Sequence, residues 1–238
     1  MLNSVKVVFS TIFRRFNSIG RPQKPLLLSM NYDEYWRVRG FTDSLHLRYQ
    51  IMTEAIEPNS TVLDMGCGDG LFLEYLAKIK GISGYGVDVS QEAVNLARAR
   101  GIEAEAADIQ GWDIEREYDY IVLSEVLEHL AYPEDVIAKA RKRFRKAILI
   151  SVPNIGYYRH RLRLLFGRFP IQWGWHPAEH LRYWTVMDFI AWVSEFGLSV
   201  AAIRASTGTP VLCRCLPNLF GKQVVFVLRA GPTGGQDR

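Results

Sequence analysis

VLDMGCGDG (residues 62–70) is the stretch that decides the fold of this chain. An apolar run with the length of a strand leads into glycines at alternating positions, and a segment with helical periodicity follows at once. Glycine lets the backbone turn sharply and lets a ligand approach without meeting a Cβ atom. The segment therefore predicts a strand, a glycine turn and a helix that form one side of a ligand site.

Beyond this segment, short apolar runs alternate with helix-period segments. We expect helices at 71–79, 91–100, 133–143 and 186–196, and strands at 61–65, 85–89, 102–107, 118–123, 147–152, 198–203 and 224–228. Such alternation implies parallel strands joined by crossover helices. The run 147–152 has no polar alternation, which is typical of a strand buried on both faces. The sequence thus predicts an α/β fold with a doubly wound, mostly parallel, seven-stranded sheet.

Acidic residues stand where three successive predicted strands end. They are Asp64, Asp88 and Asp108. Open α/β sheets bind ligands outside the carboxyl ends of their strands. Asp88 is placed to accept hydrogen bonds from both hydroxyls of a ribose, and Asp108 from an adenine amino group. One such acid would more often be a helix cap or a turn residue, but three in succession predict a nucleoside site.

Two sets of motifs carry a family resemblance. The segments 62–70, GYGVD (84–88), the acid Asp108 and YDYIVLSEVLEHL (118–130) resemble the successive motifs of class I S-adenosylmethionine-dependent methyltransferases. The segments SVPNIGYYRHRL (151–162) and HLRYWTVMDF (180–189) are similar to methionine biosynthesis protein MetW and its methyltransferase relatives. The resemblance implies a Rossmann-like methyltransferase fold, S-adenosyl-L-methionine as cofactor and methyl transfer as the activity.

The resemblance also implies residue roles. Methyl transfer to a small-molecule or glycan-linked acceptor is the leading function, and the alternative is a MetW-like accessory protein that binds and regulates a homoserine O-acyltransferase. Asp64, Gly66 and Gly68 would hold the methionine and ribose side of the cofactor, and Asp88 with Val89 would hold the ribose. Asp108 with Ile109 would hold the adenine. Ser124 and Glu125 would border the methyl group.

Glu125, Glu128 and His129 form a candidate chemical cluster after the fourth predicted strand. Their spacing of i, i+3 and i+4 places them on one face of a helical turn. Three interpretations stay open: His129 is a general base, the trio binds a divalent cation as in certain ubiquinone-pathway relatives, or His129 packs near the cofactor while the glutamates are solvated. We favour a site without metal, with His129 within reach of the pocket.

The region 154–185 is predicted to be an insertion over the acceptor pocket. Its chemically interesting residues are His160, His176, His180, Trp173, Trp175, Tyr183 and Trp184, and we take His180 as a further catalytic candidate. Its arginines Arg159, Arg161 and Arg163 either bind a carboxylate or phosphate of the substrate or face water. Upstream, a helix that closes over the cofactor is predicted from Tyr32, Tyr35, Trp36 and Arg39.

The ends of the chain flank a predicted methyltransferase domain at 30–230. The first 29 residues contain no acid and carry an apolar stripe of Leu2, Val5, Phe9, Ile12, Phe16 and Ile19. This pattern predicts a helix that contacts anionic membranes, and a transit peptide or a true start at Met30 are the alternatives. The Gly- and Pro-rich tail 231–238 is predicted to be disordered.

Composition excludes several classes of protein. No apolar run reaches the roughly 20 residues of a membrane-spanning helix. The three cysteines suit reduced thiols in a cytoplasmic protein better than a disulfide framework, so we expect a cytoplasmic location, with peripheral membrane contact through residues 1–29. The formal charge of +4 is modest, and no recognised RNA- or DNA-binding module is present, so nucleic acid is not favoured as the acceptor.

Overall fold

Seven strands form one sheet in the order β3-β2-β1-β4-β5-β7-β6 in this computed structural model, which describes residues 31–170, 172 and 179–231. The strands are β1 (Thr61–Met65), β2 (Ser83–Asp88), β3 (Glu103–Ala106), β4 (Tyr118–Ser124), β5 (Phe144–Pro153), β6 (Leu198–Gly208) and β7 (Gly221–Ala230). All neighbouring strands are parallel except β7, which runs antiparallel to β5 and β6. The predicted doubly wound, mostly parallel, seven-stranded sheet is confirmed.

Helices connect the strands much as the sequence predicts. They are α1 (Tyr32–Arg39), α2 (Leu47–Ala55), α3 (Leu71–Lys80), α4 (Gln91–Ala99), α5 (Pro133–Ala140), α6 (Tyr158–Leu165), α7 (Val186–Ser194), α8 (Leu212–Cys215) and α9 (Pro217–Phe220). The predicted helix 133–143 is too long. The chain leaves the helix after Ala140 because the carbonyl of Arg143 accepts a hydrogen bond from Tyr118 N, which starts the pairing of β5 with β4.

The sheet is buried on both faces. Alternate residues of the same strand belong to different apolar clusters. Leu63 shares its cluster with residues of α5 and α7, whereas Val62 shares its cluster with residues of α2, α3 and α4. In β5, Ile148 and Ile150 lie on the first face and Leu149 on the second. This confirms the two-sided burial predicted from the absence of polar alternation at 147–152.

The strand order places a ligand crevice beside β1. The chain runs from β1 outward to β2 and β3 on one side and then returns to β4 on the other, so the connections diverge at the carboxyl end of β1. The glycine turn lies there, and Gly66, Gly68 and Gly70 have φ angles of 86°, 55° and 73°. A Cβ atom on Gly66 would overlap Cγ2 of Val126, so a larger side chain does not fit at this position.

Several predictions fall partly or wholly outside the described residues. These are the N-terminal segment 1–29, the tail from residue 232 onward, and Trp173, Trp175 and His176 of the insertion. Among the residues that the structure describes, no helix has both the length and the apolar character needed to cross a membrane.

The buried side chain of Asn154 ties the end of β5 to the segment before β7. Its Nδ2 donates to the carbonyls of Asn218 (3.0 Å) and Gly221 (2.7 Å), and its Oδ1 accepts from Gly156 N (2.8 Å). These bonds hold the start of the 154–185 region against the sheet. Two of the partner residues, Gly156 and Gly221, are buried, where backbone polar groups need a hydrogen-bond partner.

Replacing Asn154 with Ala is expected to lower the free energy of unfolding by about 2–4 kcal/mol, because several buried backbone groups lose their partner at once. Urea denaturation measures this. The matched control is Asn95→Ala on the exposed side of α4, which should change stability by about 0.5 kcal/mol or less. Equal effects of the two substitutions would contradict the structural role of Asn154.

Candidate functional site

A cavity of about 410 Å³ opens at the carboxyl ends of β1, β2 and β4. Its lining includes seven residues predicted to bind the cofactor: Gly66, Gly68, Asp88, Val89, Asp108, Ile109 and Ser124. Two of the predicted catalytic residues, Glu125 and His129, also line it. Asp64 and His180 do not. Asp64 is buried at the end of β1, and His180 lies behind His129.

Helix α1 forms one wall of the cavity, as predicted from its aromatic residues. Tyr32, Tyr35, Trp36 and Arg39 all line the space. The helix is held by Asp33, whose carboxylate accepts hydrogen bonds from Ser90 Oγ (2.6 Å) and Glu92 N (3.3 Å) at the start of α4. A Cβ atom on Gly68 would lie 2.6 Å from the Trp36 ring, so helix and glycine turn are in close contact.

Asp88 joins the end of β2 to the glycine turn. Its Oδ2 accepts from Gly68 N and its Oδ1 from Ser90 N, both at 2.9 Å. Burial raises the pKa of this carboxyl group, and the two backbone hydrogen bonds oppose the rise. A carboxylate has about four acceptor positions, so Asp88 retains the capacity to accept two further hydrogen bonds from a ligand in the cavity.

Asp64 occupies a drier environment. It is 2% exposed, and its Oδ1 makes no hydrogen bond. Burial raises its pKa to about 7, with a further contribution from the nearby Asp88, while Arg48 acts in the opposite direction. Asp64 therefore shapes the electrostatics beneath the glycine turn, rather than the surface of the cavity.

The two residues predicted at the adenine differ in exposure. The Asp108 side chain is exposed, and its Oδ1 accepts from Gln110 N (3.0 Å), whereas Ile109 is buried and belongs to the apolar core. The pair thus offers an acidic oxygen and an apolar surface along one side of the cavity.

A polar chain of hydrogen bonds surrounds the end of β4. Arg48 Nε donates to Ser124 Oγ (3.0 Å), the hydroxyls of Ser124 and Ser151 lie 3.2 Å apart, and Ser151 Oγ donates to Glu125 Oε1 (2.9 Å). Burial raises the pKa of Glu125, and the charge of Arg48 opposes this. Glu125 has a φ of 59°, a left-handed conformation that costs a non-glycine residue about 1–3 kcal/mol and turns the chain sharply after β4.

The predicted cluster Glu125–Glu128–His129 is partly wrong. A short 3₁₀ turn spans Leu127–His129, but Glu125 lies before it in the left-handed conformation, so the three do not share one helical face. The interpretation that the glutamates are solvated is also wrong, because Glu128 is 1% exposed. Instead of Glu125, His180 joins the group: one nitrogen or oxygen atom from each of Glu128, His129 and His180 lies within 4.8 Å of the others.

Hydrogen bonding defines the state of His129. Its Nδ1 lies 2.5 Å from the carbonyl oxygen of Glu179, and because a carbonyl only accepts, Nδ1 carries the proton. Burial lowers the pKa of His129, and burial and the nearby His129 lower that of His180 to about 4, so both rings are neutral near pH 7. Nε2 of His129 then has a lone pair, which can accept a proton or bind a cation.

The arginines of the insertion do not line the cavity. Arg161 Nε donates to the carbonyl of Gly156 (2.6 Å), and Arg163 Nε to that of Phe169 (3.1 Å), so these two brace α6 and its surroundings. Trp184 belongs to the apolar core, where its ring packs against Phe189. Of the two alternatives for these arginines, Arg159 and Arg161 face water, whereas Arg163 is buried and does neither.

The amino-acid sequence matches a known protein family over the segment that contains most of the site. Residues 47–228 match the family described as methionine biosynthesis protein MetW. The chain belongs to this family. The MetW match includes the glycine turn, the strand-end acids and the cluster around His129, while α1 lies before it.

Two curated relatives show what this MetW-family chain resembles. A ubiquinone biosynthesis O-methyltransferase of Hydrogenovibrio crunogenus is 28% identical over 145 residues, which are 55% of this chain and 60% of that protein. A bifunctional methionine biosynthesis protein MetXA/MetW of Rhodopirellula baltica is 27% identical over 162 residues, or 61% of this chain and 26% of that protein. The chain thus spans about three-fifths of the first relative and a quarter of the second.

A solved structure supports the fold. An S-adenosylmethionine-dependent methyltransferase from Clostridium acetobutylicum aligns with a TM-score of 0.58 at 14% sequence identity, covering 84% of this chain and 96% of that one. The MetW-family chain therefore has the class I methyltransferase fold that its motifs predict.

Two contributions to the site were missed from the sequence. Arg48 lines the cavity from α2, far from any motif. Arg100 donates to Asp69 Oδ2, to Glu74 Oε2 and to the carbonyl of Thr42, each at 2.8 Å, and so links the glycine turn to the loop after α1. Neither arginine carries a sequence signal, because its partners lie far away along the chain.

The fit of the glycine turn can be measured by comparing Gly66→Ala with Gly101→Ala. Both glycines have positive φ angles (86° and 81°), but only Gly66 faces a close neighbour. We expect Gly101→Ala to cost about 1–2 kcal/mol of stability from backbone strain alone. Gly66→Ala should cost about 1–3 kcal/mol more, because its Cβ overlaps Val126. Urea denaturation measures the stability of both variants. Equal losses of stability would show that the glycine turn shifts to accommodate the added Cβ atom without cost.

Proposed function

We propose that this MetW-family chain binds S-adenosyl-L-methionine and transfers its methyl group to a small-molecule or glycan-linked acceptor. The observation that carries the proposal is one cavity in which the glycine turn, Asp88 and a polar group formed by Arg48, Glu125 and His129 meet. The class I methyltransferase fold and the O-methyltransferase relative support it.

The cofactor would lie across the glycine turn. The free acceptor positions of Asp88 suit the two ribose hydroxyls, and Ile109 with Asp108 suits the apolar face and the amino group of adenine. Arg48 lines the cavity and donates through Nε to Ser124, and its guanidinium charge would pair with the carboxylate of the methionine moiety. The buried carboxyl groups beneath the turn favour the positive sulfonium and ammonium groups electrostatically.

Methyl transfer from a sulfonium is an in-line displacement. An acceptor lone pair forms the new bond to the methyl carbon while the C–S bond breaks and its electron pair stays on sulfur. Holding donor and acceptor in line contributes most of the catalysis, and helix α1 and the cavity walls supply that constraint. His129, on the cavity wall near Glu125, would stand at the end that receives the acceptor, and His180, whose ring packs edge-on against it at 4.9 Å, would act as a positioning residue.

A second candidate rests on the relative whose name combines MetXA and MetW in one chain. In that interpretation the MetW-family chain binds and regulates a homoserine O-acyltransferase. The two functions separate cleanly: radiolabelled methyl transfer to a panel of phenols, carboxylic acids and glycans tests the enzyme, and co-purification with an acyltransferase tests the partner. A cavity with both a cofactor side and a polar acceptor side favours the enzyme.

Replacing Asp88 with Asn is expected to weaken the binding of S-adenosylhomocysteine by about 2–4 kcal/mol, or roughly 30- to 700-fold, because the charge that accepts the ribose hydrogen bonds is lost. Isothermal titration calorimetry measures the change. The control is Asp113→Asn, at a carboxylate that is 85% exposed and outside the cavity, and it should leave affinity unchanged. Unchanged affinity in Asp88→Asn would remove Asp88 from the cofactor site.

Replacing His129 with Ala is expected to slow methyl transfer by at least about 10²-fold, the lower end of what a group in proton transfer contributes. Affinity for S-adenosylhomocysteine should stay within about threefold, because His129 stands at the acceptor end. His160→Ala, a buried histidine outside the cavity, serves as the control and should keep the parental rate. A parental rate in His129→Ala would exclude His129 from the chemistry.

A further inference from the structure

Polar atoms without partners converge behind the acceptor end of the cavity. Glu128 is 1% exposed, yet neither of its carboxylate oxygens makes a hydrogen bond. His180 is 9% exposed, and its Nδ1 likewise has no partner. Burying a carboxylate without hydrogen bonds is costly unless a positive charge compensates it. These clustered oxygen and nitrogen atoms are therefore available to coordinate an ion.

From this cluster we infer that Glu128, His129 and His180 bind a divalent transition-metal ion of the zinc type. The three donor atoms lie within 4.8 Å of one another. Given the proposed methyl transfer, the ion would hold an oxygen atom of the acceptor, which makes the acceptor a hydroxyl compound such as a phenol, an enol or a sugar.

The hydrogen bond of His129 points to an ion between it and Glu128. The Nδ1 atom of His129 is occupied by the carbonyl of Glu179, which leaves Nε2 as the ring nitrogen that faces Glu128, and neither carboxylate oxygen of Glu128 has a hydrogen-bond partner. Nε2 and Oε1 face each other at 3.9 Å, which is too long for a hydrogen bond. Zinc bonds to nitrogen and oxygen measure about 2.0–2.2 Å, so one ion can bridge two atoms at this distance, and small side-chain rotations bring in the third.

The surroundings of the cluster match those of a metal site. Metal-binding histidines usually donate the other ring N–H to a carbonyl or carboxylate, which is what His129 does toward Glu179. The carbonyl of Glu128 accepts hydrogen bonds from Leu181 N (2.7 Å) and Arg182 N (3.1 Å), so the backbone next to His180 is fixed beside the 3₁₀ turn. Ligands from two distant parts of the chain are thus held together by main-chain bonds.

The donor set determines the class of ion. Two imidazole nitrogens and one carboxylate oxygen suit zinc and similar ions, whereas Mg²⁺ and Ca²⁺ prefer oxygen ligands. Three protein ligands leave a coordination position open, as in catalytic zinc sites. His129 lines the cavity, so that position is reached from the acceptor end. Glu125 is not part of the set, since its carboxylate accepts from Ser151.

The ion would assist the proposed reaction as a Lewis acid, and His129 would then be its ligand rather than the group that accepts the proton. An acceptor hydroxyl bound to it has a lowered pKa and loses its proton to solvent at neutral pH. The resulting oxygen lone pair forms the C–O bond as the C–S bond of the cofactor breaks. This step rests on the proposed function, whereas metal binding itself does not.

The experiment titrates the full chain with Co²⁺, whose visible absorption reports nitrogen and oxygen coordination, and with Zn²⁺ in competition. Cys213 and Cys215 are replaced by Ser throughout, because their thiols also bind such ions. We expect stoichiometric binding that Glu128→Gln and His180→Gln each weaken by at least tenfold, since even outer-shell changes cost about that much. His160→Gln, a buried histidine outside the cluster, is the matched control and should bind as the parent does.

Thermal shifts with S-adenosylhomocysteine show that each variant is folded. They also distinguish failure of the metal proposal from failure of the methyltransferase proposal. Should Glu128→Gln fail to fold, the titration of His180→Gln decides alone. Parental Co²⁺ affinity in a folded ligand variant, or no binding by a parent that still binds S-adenosylhomocysteine, would overturn the metal site and leave the methyltransferase proposal standing. Metal binding without any binding of S-adenosylhomocysteine would overturn the methyltransferase proposal and leave the metal site standing.

Discussion

The structure of the site depends on the carboxylate of Asp88 and its bonds to the backbone. By accepting from Gly68 N and Ser90 N, it fixes the glycine turn after β1 and the start of α4 after β2 against each other. Helix α1 adds to the same junction through Asp33, which accepts from Ser90 Oγ. Asp88 and Asp33 together thus position three elements, and the cavity is the space that remains between them.

The burial of acidic groups around this cavity costs free energy. Asp64, Asp88, Glu125 and Glu128 are all buried enough to raise their pKa values. Arg48 opposes this rise at Asp64, Glu125 and Glu128, and Lys222 also opposes it at Glu125. A protein that only needed stability would gain by replacing such groups with apolar ones. Their presence is understandable if bound positive charge, on a sulfonium cofactor or a metal ion, compensates them.

Sequence reasoning succeeded where the determinants are local. The periodicity of apolar residues predicted all seven strands, and the strand-end positions of Asp88 and Asp108 placed them correctly on the cavity wall. Sequence reasoning failed at the turn that follows β4. The spacing of Glu125, Glu128 and His129 suggested a continuous helix, but Glu125 adopts a left-handed conformation and its carboxylate turns toward Ser151. Spacing does not reveal such a reversal, because the neighbouring strand that favours it is distant in sequence.

The sequence by itself determined the α/β class, the parallel sheet and the glycine turn, because hydrophobic periodicity and glycine conformation act within a few residues. Only the tertiary structure brought Arg48 to Ser124, Arg100 to Asp69, and His180 to Glu128 and His129. These contacts join segments that are separated by about thirty to eighty residues, and no local pattern encodes them. They form because burying both faces of one sheet places the segments side by side, and the packing of α2, α4 and the 179–182 segment then decides which side chains meet.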